Sequence, residues 1–296
     1  TASGHTFVCI AASGGVYTWA DATGTGKNLL HNWDFRNPVN QRGQTNYVAD
    51  AYTIDRWKVF SVPLTVNDGY IALPTDGYLL QFMEADKMKL LLGKTITVSL
   101  EKSDGSIISG SCTLPTSLPA SFTEYAAYNQ GGISLMITLG GSGGQSDYFQ
   151  LFRLHNTTGS DLNITRVKAE LGSISTLAND PPADYGEQLA LCQRYFEIIN
   201  AIMNINIPAT MFYGELNACK YNIPFKVTKR VVPTISFLDG TIGRFVNQLA
   251  ISPLTGHLVN VCTTSSVGIQ SYFTATATAA SGWVDSLGRI AINADL

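Results

Sequence analysis

The sequence predicts a mostly β protein: an antiparallel jelly-roll sandwich, then a short helix, then a second, C-terminal β-sandwich. Composition is the first reason. Apolar residues make up 45% and charged residues only 14%, with 27 glycines and abundant Thr, Ser and Asn. That mix suits short strands joined by tight turns. The second reason is patterning, because segments of half-buried alternation recur at short intervals and long charged helices are missing. The third is length: 296 residues suffice for two domains with separate cores.

Residues 1–27 read as a lead. Strands at 6–10 and 15–19 flank a Ser-Gly-Gly turn, and 21–27 form a polar, Gly-rich linker. From 28 to 177 the pattern is one series of strands, the expected jelly roll. In 95–101, Ile96, Val98 and Leu100 face one way and Thr97, Ser99 and Glu101 the other. A turn at Ser103-Asp104-Gly105 leads to a strand opening at Ile107. Ile133, Leu135, Ile137 and Leu139 alternate before a glycine turn at 140–144, and strands at 148–154 and 162–171 complete the set. A short helix over 84–92 places Met88, Leu91 and Leu92 together.

Residues 178–199 are a proline-rich break and a helix. Pro181 and Pro182 can continue neither sheet nor helix, and Asp184 caps a helix running to about Ile199. Leu189, Cys192, Phe196 and Ile199 share its apolar face. Residues 200–296 form the second β region, with strands at 234–238 and 270–277 and a turn at Asp239-Gly240.

Charge and hydropathy exclude some functions. A net charge of −3 offers no source for the phosphate electrostatics of nucleic-acid binding. No apolar run approaches the roughly 20 residues of a membrane-spanning helix. Thr1 stands where Met would, without the basic-then-apolar plan of a signal peptide, and is read as an artificial or processing boundary with a segment before it. The five cysteines (Cys9, Cys112, Cys192, Cys219, Cys262) are scattered, with no CxxC. They fit thiols packed as small hydrophobes in a protein folded in a reducing cytoplasm. Low charge beside much apolar residue is also what a protomer hides in an obligate oligomer.

Three stretches carry a resemblance. Asn28-Leu29-Leu30-His31-Asn32-Trp33-Asp34-Phe35, with Gln41-Arg42-Gly43 and then Asp55-Arg56-Trp57, resembles the opening of a carbohydrate-binding-module-like jelly roll of bacteriophage and prophage tail fibre proteins. Val167-Lys168-Ala169-Glu170-Leu171-Gly172 is similar to its closing strand. Glu187-Gln188-Leu189-Ala190-Leu191-Cys192-Gln193-Arg194-Tyr195-Phe196 is similar to the helix that follows the jelly roll in many such proteins. Residues 224–235 and the final Asn293-Ala294-Asp295-Leu296 resemble parts of their C-terminal tips. Together the motifs span 28–296 in the right order. The resemblance implies a homotrimer on the virion tail, made in the bacterial cytoplasm. It also implies contacts with other tail proteins and a glycan on the bacterial surface as receptor, with no catalysis and no cofactor.

Sugar binding by a β-sandwich needs flat rings for the C–H face of the sugar and side chains offering paired hydrogen bonds. The candidate ligand-binding residues are Trp33, Gln41, Arg42, Tyr78, Tyr148 and Trp283. Each has a structural alternative. Trp33 and Trp283 are as readily core or inter-protomer packing, Arg42 can anchor the long first loop through its fork, and Trp57 reads as core. No metal site is expected: His5, His31, His155 and His257 are isolated. Asp34 and Glu170, in the opening and closing motifs, are the pair considered for a structural calcium. Gly24-Thr25-Gly26-Lys27 lacks the remaining residues of a phosphate loop. No GxSxG is present, and Glu84, Asp86, Glu101 and Glu124 are the carboxylates weighed for a hydrolase. The favoured expectation is a trimeric receptor-binding protein. A structural tail or baseplate protein and a surface-polysaccharide hydrolase are the alternatives.

Overall fold

The structure, a computed structural model, describes residues 7–13, 16–21, 26–140, 148–200, 207–211, 218–238, 244–246, 251–273, 281–285 and 289–295. It is mostly β, and every strand pairing in it is antiparallel. The chain divides into two compact units, residues 1–188 and 189–295.

The lead forms the expected hairpin, β1 (Phe7–Ser13) against β2 (Val16–Asp21). The first unit then runs through β3 (Asn46–Tyr47), β4 (Lys58–Phe60), β5 (Leu64–Asn67), β6 (Tyr70–Leu73) and β7 (Gly77–Glu84). A one-turn helix α1 (Ala85–Lys89) follows, shorter than the 84–92 expected, and buries Met88. Next come β8 (Thr95–Lys102), β9 (Ile107–Thr113), β10 (Thr123–Gln130), β11 (Ile133–Leu139), β12 (Tyr148–Asn156) and β13 (Leu162–Leu171). They make two sheets, ordered β10-β11-β12-β7-β4 and β3-β5-β6-β13-β8-β9.

The inner faces of both sheets meet in one apolar cluster that includes Val59, Leu79, Ile96, Val98, Leu100, Leu135, Ile137, Leu154 and Val167. Period-two alternation therefore builds a sandwich: each strand turns one row of side chains to the shared core. The turns follow their chemistry. Gly105 takes φ +82° between β8 and β9, and the Asp104 carboxylate accepts from the Ser106 N–H, holding the loop closed. Where β9 crosses β10 the backbones come so close that a Cβ on Gly110 would run into the Ala127 carbonyl.

Alternation alone does not describe β8 and β13. Thr97 and Ser99, expected opposite the apolar row, and Lys168 and Glu170 of the closing motif are buried as completely as the core residues between them. Residues after β13 fold back over the outer face as a strap anchored by Leu177, which is fully buried. Under it the Lys168 ammonium donates to Thr176 Oγ1 and Asp180 Oδ1, each at 2.7 Å, and lies 3.4 Å from Glu170. Arg166 pairs with Glu101 and reaches the Asp180 carbonyl. The charged ladder of the closing motif is internal.

The helix expected after the proline-rich break is shorter than the sequence suggests. α2 (Tyr185–Gln193) is capped by Asp184, whose carboxylate accepts from the Glu187 N–H at 2.7 Å. The helix stops because the next residues pair elsewhere: β14 (Phe196–Asn200) joins the terminal strand, which suits its Phe-Glu-Ile-Ile sequence better than another helical turn. Then follow β15 (Ile207–Met211), β16 (Ala218–Pro224), β17 (Thr234–Phe237), β18 (Arg244–Val246), β19 (Ile251–Cys262), β20 (Ser266–Phe273), β21 (Ser281–Asp285) and β22 (Arg289–Asn293).

β22 sits between β14 and β17 in a three-stranded sheet, while β15-β16-β20-β19-β18-β21 close into a barrel. The second β region is thus a barrel with an attached sheet rather than two open sheets. Strand periodicity is the same in both arrangements, and closure removes sheet edges. A buried pair fixes the segment before β17 to β14 and to the end of α2: Lys229 Nζ donates to Glu197 Oε2 and to the Gln193 carbonyl, both at 2.5 Å.

Candidate functional site

The motifs that carry the resemblance are placed as joints of the sandwich. The Asn28 amide donates to the Val167 carbonyl and accepts from the Ala169 N–H, clamping the opening segment along β13. Asn32, at φ +53°, donates to the carbonyls of Val39 and Asp55, and its backbone N–H donates to Gln188 of α2. Asp34 accepts two hydrogen bonds from the Arg36 guanidinium and one from the Ala183 N–H. Arg56 takes φ +74° in the turn that Trp57 closes onto Ile54, and its guanidinium donates to the Phe82 carbonyl at 2.6 Å. A bulky side chain in the left-handed region is strained and persists only where its surroundings fix it.

The predicted site residues do not gather. Trp33 is 8% exposed and belongs to the core cluster, so its ring is not offered to a ligand. Trp57 is core as well. It sits edge-on to Phe35 and Phe152, and its indole N–H donates to the Asn32 carbonyl. Gln41 and Arg42 hold the first loop: the Gln41 backbone N–H and the Arg42 guanidinium converge on the buried carboxylate of Asp55 at 2.9 and 3.1 Å. Anchoring is the geometry found for the arginine fork. Tyr148 opens β12 and Trp283 lies in β21, but their side chains lie outside the described residues. Of the candidates with described side chains, Tyr78 is half-buried and not committed to anchoring a loop.

Tyr78 stands half-buried on the outer face of the five-stranded sheet, the face turned away from the core. Register decides its neighbours, because residues directly opposite on antiparallel strands point to the same side. Phe60 of β4, Tyr78 of β7 and His155 of β12 are opposite one another, so three rings cross three strands in a row. At about 4.8 Å per strand the row spans about 10 Å, enough to lie under two sugar rings. Tyr78 and His155 stack 3.9 Å apart and 8° from parallel.

The next row is Tyr52, Lys58, Leu80 and Arg153. The Arg153 guanidinium lies 4.8 Å above the Tyr78 ring and 6.0 Å from that of Phe122, and it pairs with Glu124. The Lys58 ammonium sits 4.8 Å from the Phe60 ring and 5.5 Å from Tyr52. Ser134 and Asn129, hydrogen-bonded to each other at 2.8 Å, extend the ring row with hydroxyl and amide. Register shifts in β10–β11, β11–β12 and β12–β7 line up beside the Arg153 row. Such bulges bend a sheet locally and re-aim side chains.

Burial, and then the nearby Arg153 charge, lower the pKa of His155, so its ring is neutral at pH 7. Tyr78 is therefore in contact with a neutral imidazole and a guanidinium, which hold its ring in place. The face offers rings for stacking, fixed cations and short polar side chains. That is the donor set for a hydroxylated ring with apolar C–H faces.

The chemistry weighed for other functions is otherwise engaged. Glu84, Asp86, Glu101 and Glu124 face Lys87, Lys89, Arg166 and Arg153 respectively, each a carboxylate against a cation rather than a second carboxylate. Asp34 and Glu170 are taken by Arg36 and by Thr176 with Lys168. Among the described residues no group of three or more His, Cys, Asp or Glu could hold a metal ion. No protein-family model, curated protein or solved structure matches the chain.

The sequence singled out Tyr78 but missed Phe60, Lys58, Arg153 and His155. Alternation in β12 could have turned Arg153 and His155 outward. Only the cross-strand register brings them beside Tyr78 and Phe60.

Proposed function

We propose that the chain is a non-enzymatic receptor-binding protein of a bacteriophage tail fibre that holds a bacterial surface glycan on the outer face of its five-stranded sheet. The observation that carries the glycan assignment is the row Phe60–Tyr78–His155 with Arg153 above Tyr78. The tail-fibre assignment rests on the motifs of the opening, closing and helical segments. A homotrimer is part of that reading, and three copies would raise weak single-site affinity through avidity.

The test is binding of fluorescently labelled protein to a panel of bacterial strains, with mass measured by light scattering. Strain-selective binding competed by the purified surface polysaccharide is expected. Tyr78→Ala should reduce it about tenfold or more, the usual consequence of truncating a central aromatic, while the fold is kept because the ring is only half-buried. A stable trimer that binds no strain would favour a structural role in the tail or baseplate. Reducing ends released from isolated envelopes would favour the hydrolase.

A further inference from the structure

We infer that the glycan taken by this face is anionic, and that Lys58 is the residue that selects it. The inference rests on the glycan-binding reading above and narrows it to sugars bearing a carboxylate or a phosphate.

Three cations border the ring row, and they are not equivalent. Arg153 is matched by Glu124. Arg42, whose guanidinium lies 5.7 Å from the Tyr52 ring, is matched by the buried Asp55 carboxylate. Lys58 makes no ion pair among the described residues; its ammonium contacts the rings of Tyr52 and Phe60 and nothing charged. Its neighbours in the row, Tyr52 and Leu80, bring no counter-charge. A ring face attracts an ammonium without neutralising it.

The two rings hold the charge in place at the edge of the platform, beside the ring row where a sugar would stack. A neutral sugar lying over Lys58 would strip water from the ammonium and return only hydroxyl acceptors. A uronate carboxylate or a phosphodiester returns the missing charge, and a hydrogen bond to an ion is about twice as strong as one between neutral groups. The face thus discriminates by what it leaves uncompensated.

The experiment uses the full chain on a panel of immobilised bacterial surface polysaccharides, each presented native, carboxyl-reduced and dephosphorylated. The polysaccharides bound should be acidic, and one of the two treatments should weaken binding about tenfold or more. The treatment that does so identifies the acid as carboxylate or phosphate. Lys58→Gln should weaken binding of the native form by a similar factor and leave the charge-stripped form unaffected, while Lys58→Arg retains the preference. Wild-type binding should also fall as salt rises, a readout that needs no variant. Equal binding of native and both stripped forms, or wild-type behaviour of Lys58→Gln, overturns the inference and leaves the glycan reading standing. If no polysaccharide binds in any form, the glycan reading itself fails and takes the inference with it.

Discussion

Replacing Lys168 by Met should destabilise the sandwich far more than any surface charge change. The Lys168 side chain is fully buried, and its partners Glu170 and Asp180 are 1% and 6% exposed. Methionine fills the volume but leaves both carboxylates without their cation. Breaking a buried pair from one side costs about 3–5 kcal/mol. Glu170 keeps two hydrogen bonds from Thr176, so the lower end, about 3 kcal/mol, is expected. For a unit of this size each kcal/mol moves the melting temperature by about 2–4 °C, which gives a drop of about 6–12 °C. The control is Lys87→Met: Lys87 pairs with Glu84 at 3.0 Å on the surface, and its loss should cost less than about 1 kcal/mol. Thermal denaturation followed by circular dichroism reads both. Equal melting temperatures for the two variants would refute the reasoning, because the strap would then not be held by its buried ammonium.

Two further predictions concern the core and its titration. Burial, then the charges of Arg56 and Lys87, push the pKa of His31 down to about 3, against about 6.5 in an unfolded chain. As pH falls the unfolded state takes up that proton first, so stability is intact above about pH 6.5 and declines toward pH 3. The His31 imidazole signal should not titrate in NMR spectra between pH 7 and pH 5, and a midpoint near 6.5 would contradict this. Gly110→Ala places a methyl against the Ala127 carbonyl. Overpacking against backbone costs about 1–3 kcal/mol, measurable as a lower urea midpoint; an unchanged midpoint would show that β9 and β10 separate freely.

What the sequence could tell differed between scaffold and site for a physical reason. The strand 162–171 was legible to the residue, and the strand read at 95–101 runs one residue further, because their apolar periodicity is set by the core alone. The cap at Asp184 was legible because capping is local chemistry. The end of α2 was not, since Phe196–Asn200 chooses strand through β22, far away in sequence. Burial on the outer face of β8 and β13 was hidden for the same reason: Thr97 and Ser99 read as solvent-facing until the strap is laid over them. Trp33 misled because its polar neighbours Asn32 and Asp34 look like a surface context. Both are buried and turned to partners inside the protein.

The contrast between motif and face follows from the same geometry. Asn28, Asn32, Asp34, Asp55 and Lys168 each hold at least two hydrogen-bond partners, so each is fixed in identity by distances it does not control. The side chains of Phe60, Tyr78, His155 and Lys58 make no hydrogen bond among the described residues and touch chiefly one another. Exchanging one of them changes the chemistry of the face while leaving the buried network satisfied. A scaffold of this kind can therefore keep its opening and closing strands while the rings and charges of the outer face are replaced. The residues that announce the fold are then, for that reason, poor guides to the chemistry of that face.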